Sequence, residues 1–133
     1  VVLLIAAVIL MALEPRKSLE SRKAHVGGEP LVPLSFAPGF LLAARAAEAA
    51  EAAVRESSVP RVSSAYRTRE EQQRLYDLYL AGKGNLAARP GTSWHERGRA
   101  LDARGTAEWE SAMRRHGWVR VVTGEPWHWE YRL

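Results

Sequence analysis

The chain has 133 residues, 47% of them hydrophobic and 26% charged, with a formal net charge of +4 and no cysteine. That length suits one domain, or one domain with a leader, and the missing thiols exclude a disulfide framework and a thiolate metal site. The basic residues are scattered rather than striped with aromatics, so no nucleic-acid surface is expected, while an acidic polymer stays compatible as a partner.

Val1 to Leu13 is an uninterrupted apolar run. It fits the apolar core of a signal peptide, for which about 7–15 residues suffice, and is short for a membrane span, which needs roughly 17–25. The sequence opens without methionine, as a start inside a longer leader would. An exported or membrane-anchored protein is the expectation. Arg16, Lys17, Arg22 and Lys23 pull the other way, because basic residues favour the cytoplasmic side. Residues 14–38 read as linker, charged at first and then carrying Gly27-Gly28, Pro30, Pro33 and Pro38. Residues 39–133 read as the functional domain.

From Gly39 to Ser57 an alanine-rich pattern predicts a helix, with Phe40, Ala43, Ala44, Ala47 and Val54 inward and Arg45, Glu48, Glu51 and Arg55 outward. A Glu51–Arg55 pair at i,i+4 suits that outer stripe. Arg61 to Ala65 reads as a short strand. Thr68 and Glu71 form a capping box for a helix running to about Ala81, with Leu75, Leu78 and Tyr79 buried and Gly82 as the stop. Residues 83–93 read as a long loop. Arg99 to Ala103 reads as a strand, Thr106 to His116 as a helix with Trp109, Ala112 and Met113 inward, and Trp118 to Val122 and Trp127 to Arg132 as two antiparallel strands. The fold class is therefore α+β, with a small antiparallel-type sheet of about four strands and three flanking helices.

Chemistry concentrates in three stretches: Ser64-Ala65-Tyr66-Arg67, Ser93 to Asp102, and Glu125-Pro126-Trp127-His128. His95, Asp102 and His128 offer two imidazoles and a carboxylate, a three-ligand set for zinc that leaves one position open. On the last strand His128 and Glu130 share one face, while Trp127, Trp129 and Tyr131 share the other. Glu125, Glu96 and Glu130 compete for the role of general base. Arg67 supplies fixed positive charge. His25, in the linker, and His116, at a helix C-terminus that suits a cation, are assigned no part in the site.

The pattern Ser93-x-His95-x-x-Gly98-x-Ala100-x-Asp102 followed by Glu125-x-Trp127-His128 resembles the VanY-type zinc D-alanyl-D-alanine carboxypeptidases. It is similar too to the related L-alanyl-D-glutamate endopeptidases of endolysins, which share a fold with the hedgehog signalling domain. The resemblance runs from about Pro60 to the C-terminus. It implies a hedgehog/DD-peptidase fold, Zn2+ held by His95, Asp102 and His128, Glu125 as the base, Arg67 stabilising the oxyanion, and Ser93 and Tyr66 at the substrate edge. It implies a peptidoglycan stem peptide as substrate and extracytoplasmic action, or later release from the cytoplasm for an endolysin. A D-alanyl-D-alanine carboxypeptidase, acting as a monomer, is the first expectation and an L-alanyl-D-glutamate endopeptidase the second. A non-catalytic, zinc-containing wall-binding module is the alternative of another class, and the intact Glu125 and Arg67 speak against it. Arg89, Arg97 and Arg99 are candidate partners for a substrate carboxylate, which spacing alone does not separate.

Overall fold

The structure, a computed structural model, describes residues 24–133; the apolar run and the first part of the expected linker lie outside the described residues. Within them the fold is α+β, as expected, with two antiparallel sheets. The first is three-stranded, ordered β1 (His25–Val26), β2 (Glu29–Pro33) and β3 (Leu41–Ala43). The second holds β4 (Arg61–Ser64), β5 (Ala100–Arg104), β6 (Trp118–Val119) and β7 (His128–Tyr131), in the order β4-β5-β7-β6. Three helices complete it: α1 (Ala44–Glu56), α2 (Arg69–Leu80) and α3 (Ala107–Arg115).

Residues 24–38 are not the linker their glycines and prolines suggest. Gly27 and Gly28 both take positive φ and form the two-residue turn of a hairpin, the backbone that a right-twisted β-ribbon prefers. Pro30 and Pro33 sit inside β2, and Leu34 and Ala37 beyond it are buried in the core. The hairpin reaches further through Glu29. Its carboxylate accepts the backbone N–H of Arg45 at 3.0 Å and a guanidinium N–H of Arg99 at 3.1 Å. Helix α1 begins after Ala43, which offers no capping side chain, so a carboxylate from another strand satisfies one of its orphan N–H groups.

The alanine face of α1 packs on α3, with Ala46, Ala47, Ala50 and Ala53 almost fully buried. Its start is Ala44 rather than Gly39, because Leu41–Ala43 pairs with β2 instead. Glu51 accepts from the backbone and hydroxyl of Ser35 rather than facing Arg55. Trp109, Met113, Trp118, Leu101 and Trp129 fill the space between α3 and the four-stranded sheet, and the Trp109 and Trp129 rings meet edge to face at 5.4 Å, a favoured aromatic geometry.

Helix α2 has the expected capping box, with the Glu71 N–H donating to Thr68 Oγ1 at 3.2 Å and the Thr68 N–H donating to Glu71 at 2.8 Å. Its inner face differs from the expectation. Leu75 is only half-buried, Leu78 and Tyr79 are 40% and 38% exposed, and the single buried side chain is Gln72. The helix lies beside the site rather than on the core, so Leu75 and Leu78 line a cavity instead of packing.

Candidate metal centre

Strand register builds the centre. Asp102 lies in the middle of the sheet, paired with Ser64 of β4 on one side and His128 of β7 on the other. Residues directly opposite on antiparallel strands bring side chains within about 5 Å on one face. The neighbouring pair, Leu101 and Trp129, points to the other face and is fully buried. Alternation thus sends apolar groups into the core and ligands to the site.

His95 arrives on the loop before β5. Its Nδ1 lies 2.7 Å from the carbonyl of Ala65, so Nδ1 carries the proton and Nε2 is the lone-pair nitrogen. Glu96 braces this loop by accepting the N–H groups of Gly91 and Ser93. Gly98 closes it with φ of +67°, and a Cβ there would stand 2.7 Å from the Ala43 nitrogen, so only glycine fits.

His95, Asp102 and His128 are all buried, and their ligand atoms lie within 4.8 Å of one another. Asp102 Oδ1 is 2.9 Å from His128 Nδ1 and 3.2 Å from His95 Nε2, while Oδ2 accepts from Arg67 at 3.1 Å. Burial pushes the Asp102 carboxyl up, but contact with His128 and His95, when those imidazoles are protonated, outweighs it and holds the group well below the usual carboxylate range. Burial likewise opposes charge on His128, and its bond to Asp102 reverses this and raises its pKa. Two nitrogens and one carboxylate oxygen, convergent, buried and open on one side, fit a metal ion that keeps an open position.

The open side is a cavity of about 480 Å3. Arg67, Glu125, Ser93 and Trp127 line it with the ligands, and Leu75, Leu78 and Leu86 form its far wall. Arg67 donates to Ser64 at 2.9 Å, to Gln72 at 3.2 Å and to Asp102. A guanidinium has five N–H groups, so two remain for a ligand. Burial lowers the Arg67 pKa, with Asp102 and Glu125 opposing it, and a guanidinium stays charged through such shifts. The Glu125 carboxylate forms no hydrogen bond among the described residues, and its charge is felt at both Arg67 and His128.

Tyr66 is not part of this lining; it is half-exposed, and its N–H donates to Leu41. His116 pairs with Glu56 at 2.7 Å and lines neither cavity. Gln72 carried no sequence signal, being one polar residue on a polar helix. It joins the site to the loop at residues 82–92 by donating to the Ala88 carbonyl at 2.8 Å.

The sequence profile of the VanY family, D-alanyl-D-alanine carboxypeptidase, matches residues 41–118, more than half of the chain. The chain belongs to the VanY family. The match takes in Arg67, Ser93, His95 and Asp102 and ends ahead of Glu125 and His128. No curated protein matches the chain in sequence. Solved structures of the same fold include the vancomycin resistance D,D-dipeptidase VanXYg with a D-Ala-D-Ala phosphinate analog. It is 23% identical, with a TM-score of 0.66 over 80% of this chain and 56% of that one. This VanY-family chain therefore spans little more than half the length of that relative. VanYB in complex with D-alanine-D-alanine is 26% identical, with a TM-score of 0.58 over 83% and 79% of the two chains. A variant of the D,D-pentapeptidase VanY from a VanB-type resistance cassette, in complex with Zn(II), gives 26% and 0.58 over 84% and 80%.

Proposed function

We propose that this VanY-family chain is a zinc-dependent peptidase of peptidoglycan stem peptides, in the first place a D-alanyl-D-alanine carboxypeptidase acting outside the cytoplasm. The observation that carries the reading is the convergence of His95, Asp102 and His128 on the cavity that also receives Arg67 and Glu125. The VanY relative in complex with Zn(II) and VanYB in complex with D-alanine-D-alanine support the metal and the substrate class.

His95, Asp102 and His128 would hold a zinc ion, which would supply Lewis acidity to the scissile carbonyl and to the attacking water. Glu125 accepts the proton of the attacking water and passes it to the leaving amine. The two free N–H groups of Arg67 meet the carbonyl oxygen as negative charge builds on it, a contribution of roughly 3–4 kcal/mol for a well-placed donor. Ser93 stands at the cavity wall, where it also steadies the loop by accepting the His95 N–H at 3.2 Å. A purely structural zinc site needs neither Glu125 nor Arg67, which disfavours the wall-binding module.

One observation favours the endopeptidase as a second reading. Arg67 is the only arginine or lysine on the catalytic cavity among the described residues. Arg97 and Arg99 line a separate cavity, with Trp94 as the shared wall, and Arg89 lines neither. A terminal carboxylate thus finds no second guanidinium, while the apolar wall suits a chain that continues. Incubating the protein with a stem pentapeptide and reading product masses separates the two. Loss of one D-alanine supports the carboxypeptidase, cleavage after L-alanine supports the endopeptidase, and an intact peptide with zinc bound contradicts both.

A further inference from the structure

Glu130 is a buried carboxylate, 4% exposed, to which the chemistry above gives no task. Ion burial costs several kcal/mol unless every oxygen is paired, so its partners are informative. One oxygen, Oε2, accepts from Nε of Arg132 at 3.1 Å and from a terminal guanidinium nitrogen of the same residue. The other, Oε1, turns inward to Nε2 of His128 at 3.3 Å. An ion pair with Arg132 alone does not require this, because Arg132 is 44% exposed and can be satisfied at the surface. The Arg132 guanidinium also lies 4.1 Å from the centre of the Trp94 ring, and Trp94 is the residue before His95.

Each histidine ligand is thus braced at the nitrogen that faces away from the cluster. His95 is braced by the Ala65 carbonyl and His128 by a carboxylate. Such partners fix the tautomer and make the imidazole a better ligand. We infer that Glu130 is a positioning residue for the metal centre. Its carboxylate accepts the Nε2 proton of His128 and leaves Nδ1 as the lone-pair nitrogen beside Asp102, while Arg132 clamps the carboxylate and, through Trp94, the loop of His95. The inference rests on the zinc reading. It separates Glu130 from Glu125: a base acts on turnover with zinc retained, and a positioning residue acts on how tightly zinc is held.

The test is the zinc dissociation constant of the full chain, measured by competition with a chromophoric chelator. Glu130→Leu is expected to weaken zinc binding by ~10–100-fold. Glu130→Gln keeps an amide oxygen in reach of the Nε2 proton, so its loss should be smaller, and Arg132→Gln should also fall short of the leucine variant. A second readout is the Nε2 proton of His128 by 15N NMR in the zinc-loaded protein, expected to exchange slowly in the wild type and fast in Glu130→Leu. Should the leucine variant not fold, Glu130→Gln decides alone, and wild-type affinity with an equally protected proton overturns the inference. Tight zinc in both wild type and Glu130→Leu overturns it while sparing the zinc reading. A wild type that takes no zinc overturns both.

Discussion

The two walls of the cavity are held by different means. On one side the ligands Asp102 and His128 stand on paired central strands, backed by fully buried Leu101 and Trp129. On the other side α2 and residues 82–92 present half-buried Leu75 and exposed Leu78 and Leu86, with buried Gln72 as the tie. The first wall draws its precision from register and core packing. The second depends on a few hydrogen bonds and leaves apolar surface open. Metal geometry thus belongs to the sheet, and accommodation of the substrate belongs to the helix and its loop.

Damage to the sheet wall should be the most costly. Trp129→Ala removes a fully buried indole directly beneath the ligands, for an expected loss of ~3–5 kcal/mol in urea unfolding, with weaker zinc binding alongside. Zinc affinity unchanged in a folded variant would break the link between core and centre. Glu125→Gln should leave zinc and unfolding intact and lower turnover by ~10²–10⁴-fold, read as kcat on the stem peptide. If turnover survives, the water-activating role falls to another group. Gln72→Leu strips partners from Arg67 and the Ala88 carbonyl, and leaving buried polar groups unpaired costs about 1–3 kcal/mol. The account expects zinc content to hold while KM rises and kcat falls. Lost zinc with an unchanged KM would put Gln72 on the wrong side of the comparison.

The smallest effect lies outside the catalytic cavity, at Glu29. The Arg45 N–H first, and Arg99 with it, holds this carboxyl below its ordinary value, against a smaller effect of burial. A carboxyl lowered on folding stabilises the protein above its unfolded pKa, about 4.3, and that contribution fades as the pH falls through the folded value. Glu29→Gln should therefore cost about 1 kcal/mol at pH 7, a typical capping loss, and the gap to wild type should close below pH 4. A gap constant with pH would mean that the charge of Glu29 is idle.

Much of the sheet wall was legible in the sequence. Alternation along residues 127–132 separates His128 and Glu130 from Trp129 and Tyr131, and His128 joins the ligand cluster while Trp129 and Tyr131 join the hydrophobic core. The Ser93 to Asp102 pattern carries two of the ligand candidates, and Gly98 meets the backbone closely enough to explain itself. The other wall was misread for a physical reason. Apolar residues at helical spacing mark a face that avoids water, and Leu75 and Leu78 would look the same packed in a core or lining a cavity. Gly27-Gly28 and the prolines read as linker because punctuation dominates a short hairpin, although a Gly-Gly pair is itself a hairpin signal. Glu96 was legible only as a carboxylate near a histidine; its bracing of Gly91 and Ser93 comes from loop geometry without periodicity.

The central claim is that His95, Asp102 and His128 hold the zinc on which hydrolysis depends. The most direct measurement is hydrolysis of a stem peptide by chelator-stripped protein before and after one equivalent of zinc. The account predicts no product from the stripped protein and recovery with that single equivalent, and neither from Asp102→Ala. Undiminished hydrolysis by the stripped protein would contradict it.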